Sequence, residues 1–258
     1  MNTEDSFTEG RSAEDWQKWI WEQSCQRAAK LNVQMPDYES FREAGFYKSP
    51  DLKEDRIFLS DFFKDPDKNP LKTPSGKIEI FSKTIDSFNY NDCPGHPTWM
   101  EPDEWLGAEE KAYPLHLISN QPKTKLHSQM DNGTLSSSIK IKGHQPLEMN
   151  PDDAKSRGIT QGDIVRVFNG RGSCLCGVNI TADVMPGVVI ISTGSWYDPA
   201  EPNDPKSMCK HGNPNVLSPD IGTSKLGQGP AAHSCLTEIE IYDGPVQDIT
   251  AFTPPEII

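Results

Sequence analysis

The sequence has 258 residues, a formal charge of −13 at neutral pH and an apolar fraction of 34%. That is enough chain for one large domain or two ordinary ones, and too acidic for a nucleic-acid groove or an anionic membrane surface as main partner. No stretch approaches the roughly 20 uninterrupted apolar residues of a membrane helix, and Met1-Asn2-Thr3-Glu4-Asp5 has neither the basic start nor the apolar run of a secretory signal.

Residues 1–110 carry 23 acidic and 13 basic side chains, so most of the acidity lies at the front. Ser12 with Glu14 and Asp15 behind it starts a helix, and Trp16, Ile20, Ser24, Arg27 and Leu31 follow at near-helical spacing, which predicts a face burying tryptophan. A second helix is expected from Pro36, with Tyr38, Phe41 and Ala44 as its apolar stripe and Gly45 as its stop. Asp, Pro, Lys and Gly over residues 61–76 read as a long surface loop. Lys77-Ile-Glu-Ile-Phe-Ser82 alternates polar and apolar and reads as a strand, and the Pro-rich run Cys93 to Pro102, near Trp99 and Trp105, reads as an irregular wrap. A domain division is placed at 110/111.

Beyond it, short strands separated by turn residues are expected at Leu115–Ser119, Asp163–Asn169, Ser173–Thr181, Gly187–Thr193 and Leu236–Tyr242, a spacing that suggests a closed barrel. A helix over Pro151–Arg157 has Asn150 as cap, Pro151 in its first turn, Asp152 and Asp153 at its positive end and Gly158 as stop. Residues 115–147 hold Lys123, Lys125, Lys140 and Lys142 against Asp131 alone, a patch able to receive an anion. Residues 244–258 read as a tail that orders only by docking. The six cysteines form no CxxC pair, so reduced, mostly buried thiols are expected; a metal site from Cys174, Cys176, Cys209 and His211 is the alternative.

HExxH, GxSxG, P-loop and EF-hand strings are absent. Gly227-Gln-Gly229-Pro-Ala-Ala232 fits a dinucleotide fingerprint as a string but has Pro230 and no preceding strand, and Asp220-Ile-Gly222 is not the doubled motif of an aspartic protease. What stands out is neutral hydrogen-bonding side chains on two loops: Ser119-Asn120-Gln121-Pro122 with His127-Ser128-Gln129, and His211-Gly-Asn-Pro-Asn215 running on to Gly229. Amide side chains read the donor and acceptor edges of a purine or pterin, and glycines let backbone N–H groups approach a phosphate. The competing reading is that Asn, Gly and Pro build turns and both histidines are ordinary.

The run Met149-Asn-Pro-Asp-Asp-Ala-Lys-Ser-Arg-Gly-Ile-Thr-Gln-Gly-Asp-Ile-Val-Arg-Val-Phe-Asn-Gly-Arg-Gly172 resembles the molybdopterin dinucleotide-binding domain of the dimethyl sulfoxide reductase family. The two polar loops resemble that domain's cofactor loops in the branch reducing biotin sulfoxide, trimethylamine N-oxide and dimethyl sulfoxide. Phe7-Thr-Glu-Gly-Arg11, Leu71-Lys-Thr-Pro-Ser-Gly-Lys-Ile-Glu79 and Asp92-Cys-Pro-Gly-His-Pro97 are similar to stretches that precede it.

The resemblance implies a mixed α+β chain: a C-terminal six-stranded double-psi β-barrel over residues 111–258, preceded by an irregular helical, loop-rich segment, 1–110, that ends the large-subunit core domains. It implies a bis(molybdopterin guanine dinucleotide) cofactor with molybdenum, contacted by Asn120, Gln121, His127, Ser128, Gln129 and Asn215, with Trp196 and Gln228 beside them. The activity implied is oxygen-atom transfer from a small S-oxide or N-oxide, with electrons from an unassigned donor. Family members are several hundred residues longer, and the portion absent here carries the molybdenum ligand. The expectation is therefore a C-terminal piece with no catalytic residue or metal ligand of its own, inactive alone, whose partner is the N-terminal portion of the catalytic subunit. A stand-alone cofactor-binding or carrier module and a plain interaction domain are the alternatives. Cytoplasm and periplasm both fit, the cytoplasm slightly better.

Overall fold

The computed structural model describes residues 3–50 and 57–254. The chain divides into two compact units, Met1–Glu79 and Ile80–Ile258, so residues 80–110 cluster with the barrel rather than with the helical segment to which the sequence assigns them.

The first unit begins with α1 (Glu4–Thr8) and α2 (Ala13–Ala29). Ser12 starts α2 as expected: its hydroxyl accepts from the Asp15 N–H, and the Asp15 carboxylate accepts from the Ser12 N–H at 3.0 Å. The expected buried tryptophan face is not found. No residue of α2 is buried, Trp16 is half-buried and Trp19 exposed. The next helix, α3 (Tyr38–Ala44), starts later than expected because Asp37, not Pro36, caps it, accepting from the Ser40 N–H at 2.8 Å. Pro36 stays outside, where its carbonyl accepts from the Trp21 indole, whose ring stacks on Phe41. A short helix, α4 (Ser60–Lys64), interrupts the expected loop over 61–76.

Residues 77–82 form no strand. The alternation there has nothing to pair with: Thr73 turns back onto the Lys77 carbonyl, the Ser82 N–H goes to the Gly95 carbonyl, and Ile78 and Ile80 are exposed.

The second unit opens with α5 (Lys83–Asp86) and the irregular run to residue 114, then builds β1 (Leu115–Ile118), α6 (Thr134–Ile139), β2 (Pro146–Met149), α7 (Pro151–Ser156), β3 (Ile164–Phe168), β4 (Ser173–Ile180), β5 (Val188–Ile191) and β6 (Leu236–Ile241). The strands close into a barrel in the order β1-β5-β2-β4-β3-β6. Two parallel pairs, β1·β5 and β2·β4, interlock because β5 also pairs antiparallel with β2. This is the six-stranded double-psi barrel. Five strands fall within the expected segments; β2 is the one the pattern reading missed, since it opens on Pro146, a residue tolerated at the first position of a strand.

Alternate residues of each strand point inward: Leu115 and Leu117, Leu147 and Met149, Val165 and Val167, Cys174, Cys176 and Val178, Val189 and Ile191. Each fully buried aliphatic side chain contributes about 1.5–3 kcal/mol of transfer free energy. The α7 start matches the sequence, with the Asn150 side chain accepting from the Asp152 N–H, and Gly158 follows in the left-handed region at φ 67°. Because β1 and β5 run parallel in register, Ile118 beside Ile190, the segments leaving their C-terminal ends emerge on the same rim. That rim carries the candidate site.

Candidate functional site

A cleft of about 500 Å³ on this rim is lined by His127, Ser128, Thr193, Gly194, Ser195, Trp196, Tyr197, Asn213 and Asn215. Three segments supply it. The turn Leu126–Gln129, closed by a Gln129 N–H to Leu126 carbonyl bond with His127 at φ 50°, crosses above Gly194. The segment after β5 supplies residues 193–197, and a single 3₁₀ turn, Pro214–Val216, capped by the Asn213 side chain on the Asn215 N–H, supplies the third wall.

Of the residues singled out in the sequence, the structure brings His127, Ser128, Trp196 and Asn215 into this one cleft. Asn120 lies just behind it, holding the β1 and β5 exits together: its side-chain oxygen accepts from the Ser192 hydroxyl at 2.7 Å and its carbonyl from the Thr193 N–H. Gln121 hydrogen-bonds the His127 ring at 3.1 Å and so orients it. Gln129 is exposed on the same turn, and Gln228 folds back onto the Ser224 carbonyl of its own loop; neither lines the cleft. Thr193, Gly194, Ser195, Tyr197 and Asn213 were not foreseen. The signal was available in Ser192-Thr-Gly-Ser-Trp196, a small, polar, glycine-containing run leaving a strand.

The anion-receiving lysine patch is corrected at two of its four positions: Lys123 and Lys142 are exposed, whereas the other two are not. Lys125 and Lys140 are buried, and both point at the buried Asp131 carboxylate, at 2.5 and 3.1 Å. Lys125 also donates to Gln145 Oε1, and Lys140 reaches His211 Nε2 at 2.6 Å. His211 is fully buried and its Nδ1 donates to the Trp196 carbonyl at 3.0 Å, so Nε2 accepts and the ring is neutral. Burial, then Lys140, pushes the His211 imidazole down to about 4. Burial opposes the Asp131 charge, but Lys125, the Trp196 N–H and Lys140 outweigh it and hold its pKa below the ordinary carboxylate value. What the site offers is neutral donors and aromatic faces above a buried ionic network, with no carboxylate among its lining residues.

Cys174, Cys176, Cys209 and Cys235 are free, buried thiols, and among the described residues no group of three or more His, Cys, Asp or Glu is placed to hold a metal. Among the described residues no helix is long and apolar enough to cross a membrane.

Residues 115–236 match the family described as Molydopterin dinucleotide binding domain, and these residues contain every segment lining the cleft. The barrel is a molybdopterin dinucleotide-binding domain. The chain is 44% identical over 252 residues to the dimethyl sulfoxide/trimethylamine N-oxide reductase of Cereibacter sphaeroides and 45% identical over 253 residues to trimethylamine-N-oxide reductase 1 of Escherichia coli K12. Each alignment takes in 97% of this chain and 30% of the relative, so the chain spans about a third of the length of the curated relatives it matches. Among solved structures, acetylene hydratase from Pelobacter acetylenicus superposes with a TM-score of 0.60 at 18% identity, over 80% of this chain and 28% of that one; this shows the shared fold. The molybdopterin-binding domain thus has its cleft where the β1 and β5 exits meet. The residues present fit such a cofactor: Ser128, Asn213 and Asn215 bring hydroxyl and amide groups, Trp196 and Tyr197 offer half-exposed rings, and no lining acid repels a phosphate.

Proposed function

We propose that this chain is the C-terminal part of a molybdenum oxidoreductase that reduces S-oxides or N-oxides, and that residues 111–258 bind part of a bis(molybdopterin guanine dinucleotide). Residues 1–110 then form the end of the core domains, of which residues 80–110 cluster with the barrel. When bound, the cofactor supplies the two-electron chemistry that removes oxygen from the substrate. The contribution of this chain is binding and orientation. His127, Ser128 and Asn215 hold polar edges and phosphates by neutral hydrogen bonds, Trp196 gives a flat wall, Asn120 and Gln121 support that lining from behind, and Gln129 and Gln228, outside the cleft, contact parts of the dinucleotide that extend beyond it. One observation carries the reading: two loops some 85 residues apart in sequence, around His127 and Asn215, meet in a single acid-free cleft inside the family-matched segment.

The test is reconstitution with the remaining portion of the catalytic subunit, followed by dimethyl sulfoxide and trimethylamine N-oxide reduction with a reduced dye. Turnover by the complex and none by the 258-residue chain is expected; a folded, cofactor-loaded complex without activity overturns the reading. A stand-alone cofactor module has one observation in its favour, that all six strands of the closed barrel come from this chain. Tight cofactor retention by the chain alone would select it.

A further inference from the structure

Trp196 is held at four points. Its N–H donates to Asp131 Oδ2 at 3.1 Å, its carbonyl accepts from His211 Nδ1 at 3.0 Å, its indole N–H donates to the Ser128 carbonyl at 2.8 Å, and its ring meets the Phe252 ring at 5.2 Å and 65°. Phe252 does not line the cleft. It arrives from the far end of the chain, on a strap that runs from Asp248 and is fastened by a second buried ion pair.

The strap is firmly tied. Asp198 accepts from the Thr250 N–H at 2.6 Å, the Thr250 hydroxyl at 2.7 Å and the Ala251 N–H at 3.1 Å. Lys210, itself 3.4 Å from Asp198, donates to the Asp248 carbonyl and to the Thr250 hydroxyl. The ring delivered in this way touches three parts of the site at once. Besides Trp196, it packs edge-on against the His211 ring at 5.1 Å and lies 4.6 Å from Lys140 Nζ, which sits over its face. A ring fixed before ligand arrives loses less entropy on binding, so a wall of this kind raises affinity without adding a contact.

We propose that Phe252 is a positioning residue, and that the strap Asp248–Phe252 exists to hold Trp196 as a fixed wall of the cleft against which a flat heteroaromatic group lies. The ligand class rests on the function proposed above; the positioning of Trp196 does not. The strap uses two buried charged side chains, Asp198 and Lys210, to fasten residues 248–251 next to the one aromatic residue in the cleft that is hydrogen-bonded at both backbone atoms and at the ring.

The experiment uses the full 258-residue chain labelled with 5-fluorotryptophan, with Trp196→Phe to assign the Trp196 fluorine signal. Phe252→Ala should shift and broaden that signal and leave the others in place. Phe252→Tyr, which keeps a ring on the strap, should restore it. Binding of guanosine diphosphate, used as the probe for the nucleotide half of the ligand, should weaken about fivefold to tenfold in Phe252→Ala and recover in Phe252→Tyr. An unchanged Trp196 signal in folded Phe252→Ala overturns the proposal. Should that variant fail to fold, Phe252→Leu is compared with Phe252→Tyr, and equal Trp196 signals in the two overturn it. If the signal moves as expected but guanosine diphosphate binds neither wild type nor variant, the positioning of Trp196 stands and the nucleotide reading of the cleft fails.

Discussion

The carbonyl oxygen of His127 lies 1.7 Å from the point that a β-carbon on Gly194 would occupy. The turn that carries His127 and Ser128 therefore packs directly on backbone at residue 194, which also sits at φ 92°, where side chains are strained. Gly194→Ala is expected to cost about 2 kcal/mol or more of stability and to lift the His127–Ser128 wall from the cleft. Urea unfolding gives the first quantity, and loss of guanosine diphosphate binding in the folded fraction reports the second.

Asp131 is the shared counter-ion of Lys125 and Lys140, and all three side chains are buried. Replacing it by Asn leaves two buried ammonium groups without their charge partner, so Asp131→Asn is expected to lose about 3–5 kcal/mol. The double variant Asp131→Asn with Lys140→Met removes one of the stranded charges and should recover part of that loss. Equal stability of the single and double variants would contradict the shared-counter-ion arrangement.

His211 makes folding pH-dependent in a defined window. The unfolded imidazole titrates near 6.5, whereas burial and Lys140 hold the folded one at about 4. Between those values the unfolded chain binds a proton that the folded chain refuses, so stability is full above the upper value, falls on acidification and levels off for this group near the lower one. The loss is about 3 kcal/mol. His144, buried with its Nδ1 on the Lys210 carbonyl, is pushed down as well and acts in the same direction. Unfolding free energies between pH 7 and 4 should flatten in His211→Gln; an unchanged slope would rule out His211 as the source.

Glu104 fastens the irregular segment before β1 to the barrel. Its carboxylate accepts from both terminal nitrogens of the Arg171 guanidinium, at 2.6 and 3.0 Å, and from the Leu236 N–H at 2.7 Å. Glu104→Gln weakens these charge-assisted bonds at a partly exposed position, with an expected loss of about 1–2 kcal/mol. Limited proteolysis should then cut within residues 87–112 before the barrel; cleavage at wild-type rate would show that the latch contributes little.

Four of the six thiols are buried, and those of Cys174, Cys209 and Cys235 are raised, Cys174 by its contact with Cys176 together with burial, the other two by burial first. A thiol reagent at pH 8 should therefore titrate two groups in the folded chain, Cys25 and Cys93, and four more only on unfolding. Early reaction of a third thiol would place one of the barrel cysteines nearer the surface than it lies here.

Much of this was legible in the chain itself. Local signals state their own partners: Ser12 with Asp15 starts one helix, Asn150 with Pro151 another, and alternating Val, Ile and Leu mark five strands, because capping and burial alternation are written within a few residues. Lys77–Ser82 has the same alternation without a strand to pair with, and β2 forms where the alternation is short and opens on proline, because β5 and β4 lie on either side of it. Pairing is not a local property.

The cleft divides in the same way. That His127 and Asn215 carry hydrogen-bonding groups on loops could be read directly, and the long resemblance supplied the ligand chemistry. That residue 194 must lack a side chain and that residues 248–252 return to brace Trp196 depend on contacts between segments more than 50 residues apart, and that Lys125 and Lys140 face inward to a nearby carboxylate depends on the burial that the barrel imposes. Composition fixes which groups are available, but whether a lysine serves as surface charge or buried counter-ion is decided only when the closed barrel sets its burial and its neighbours.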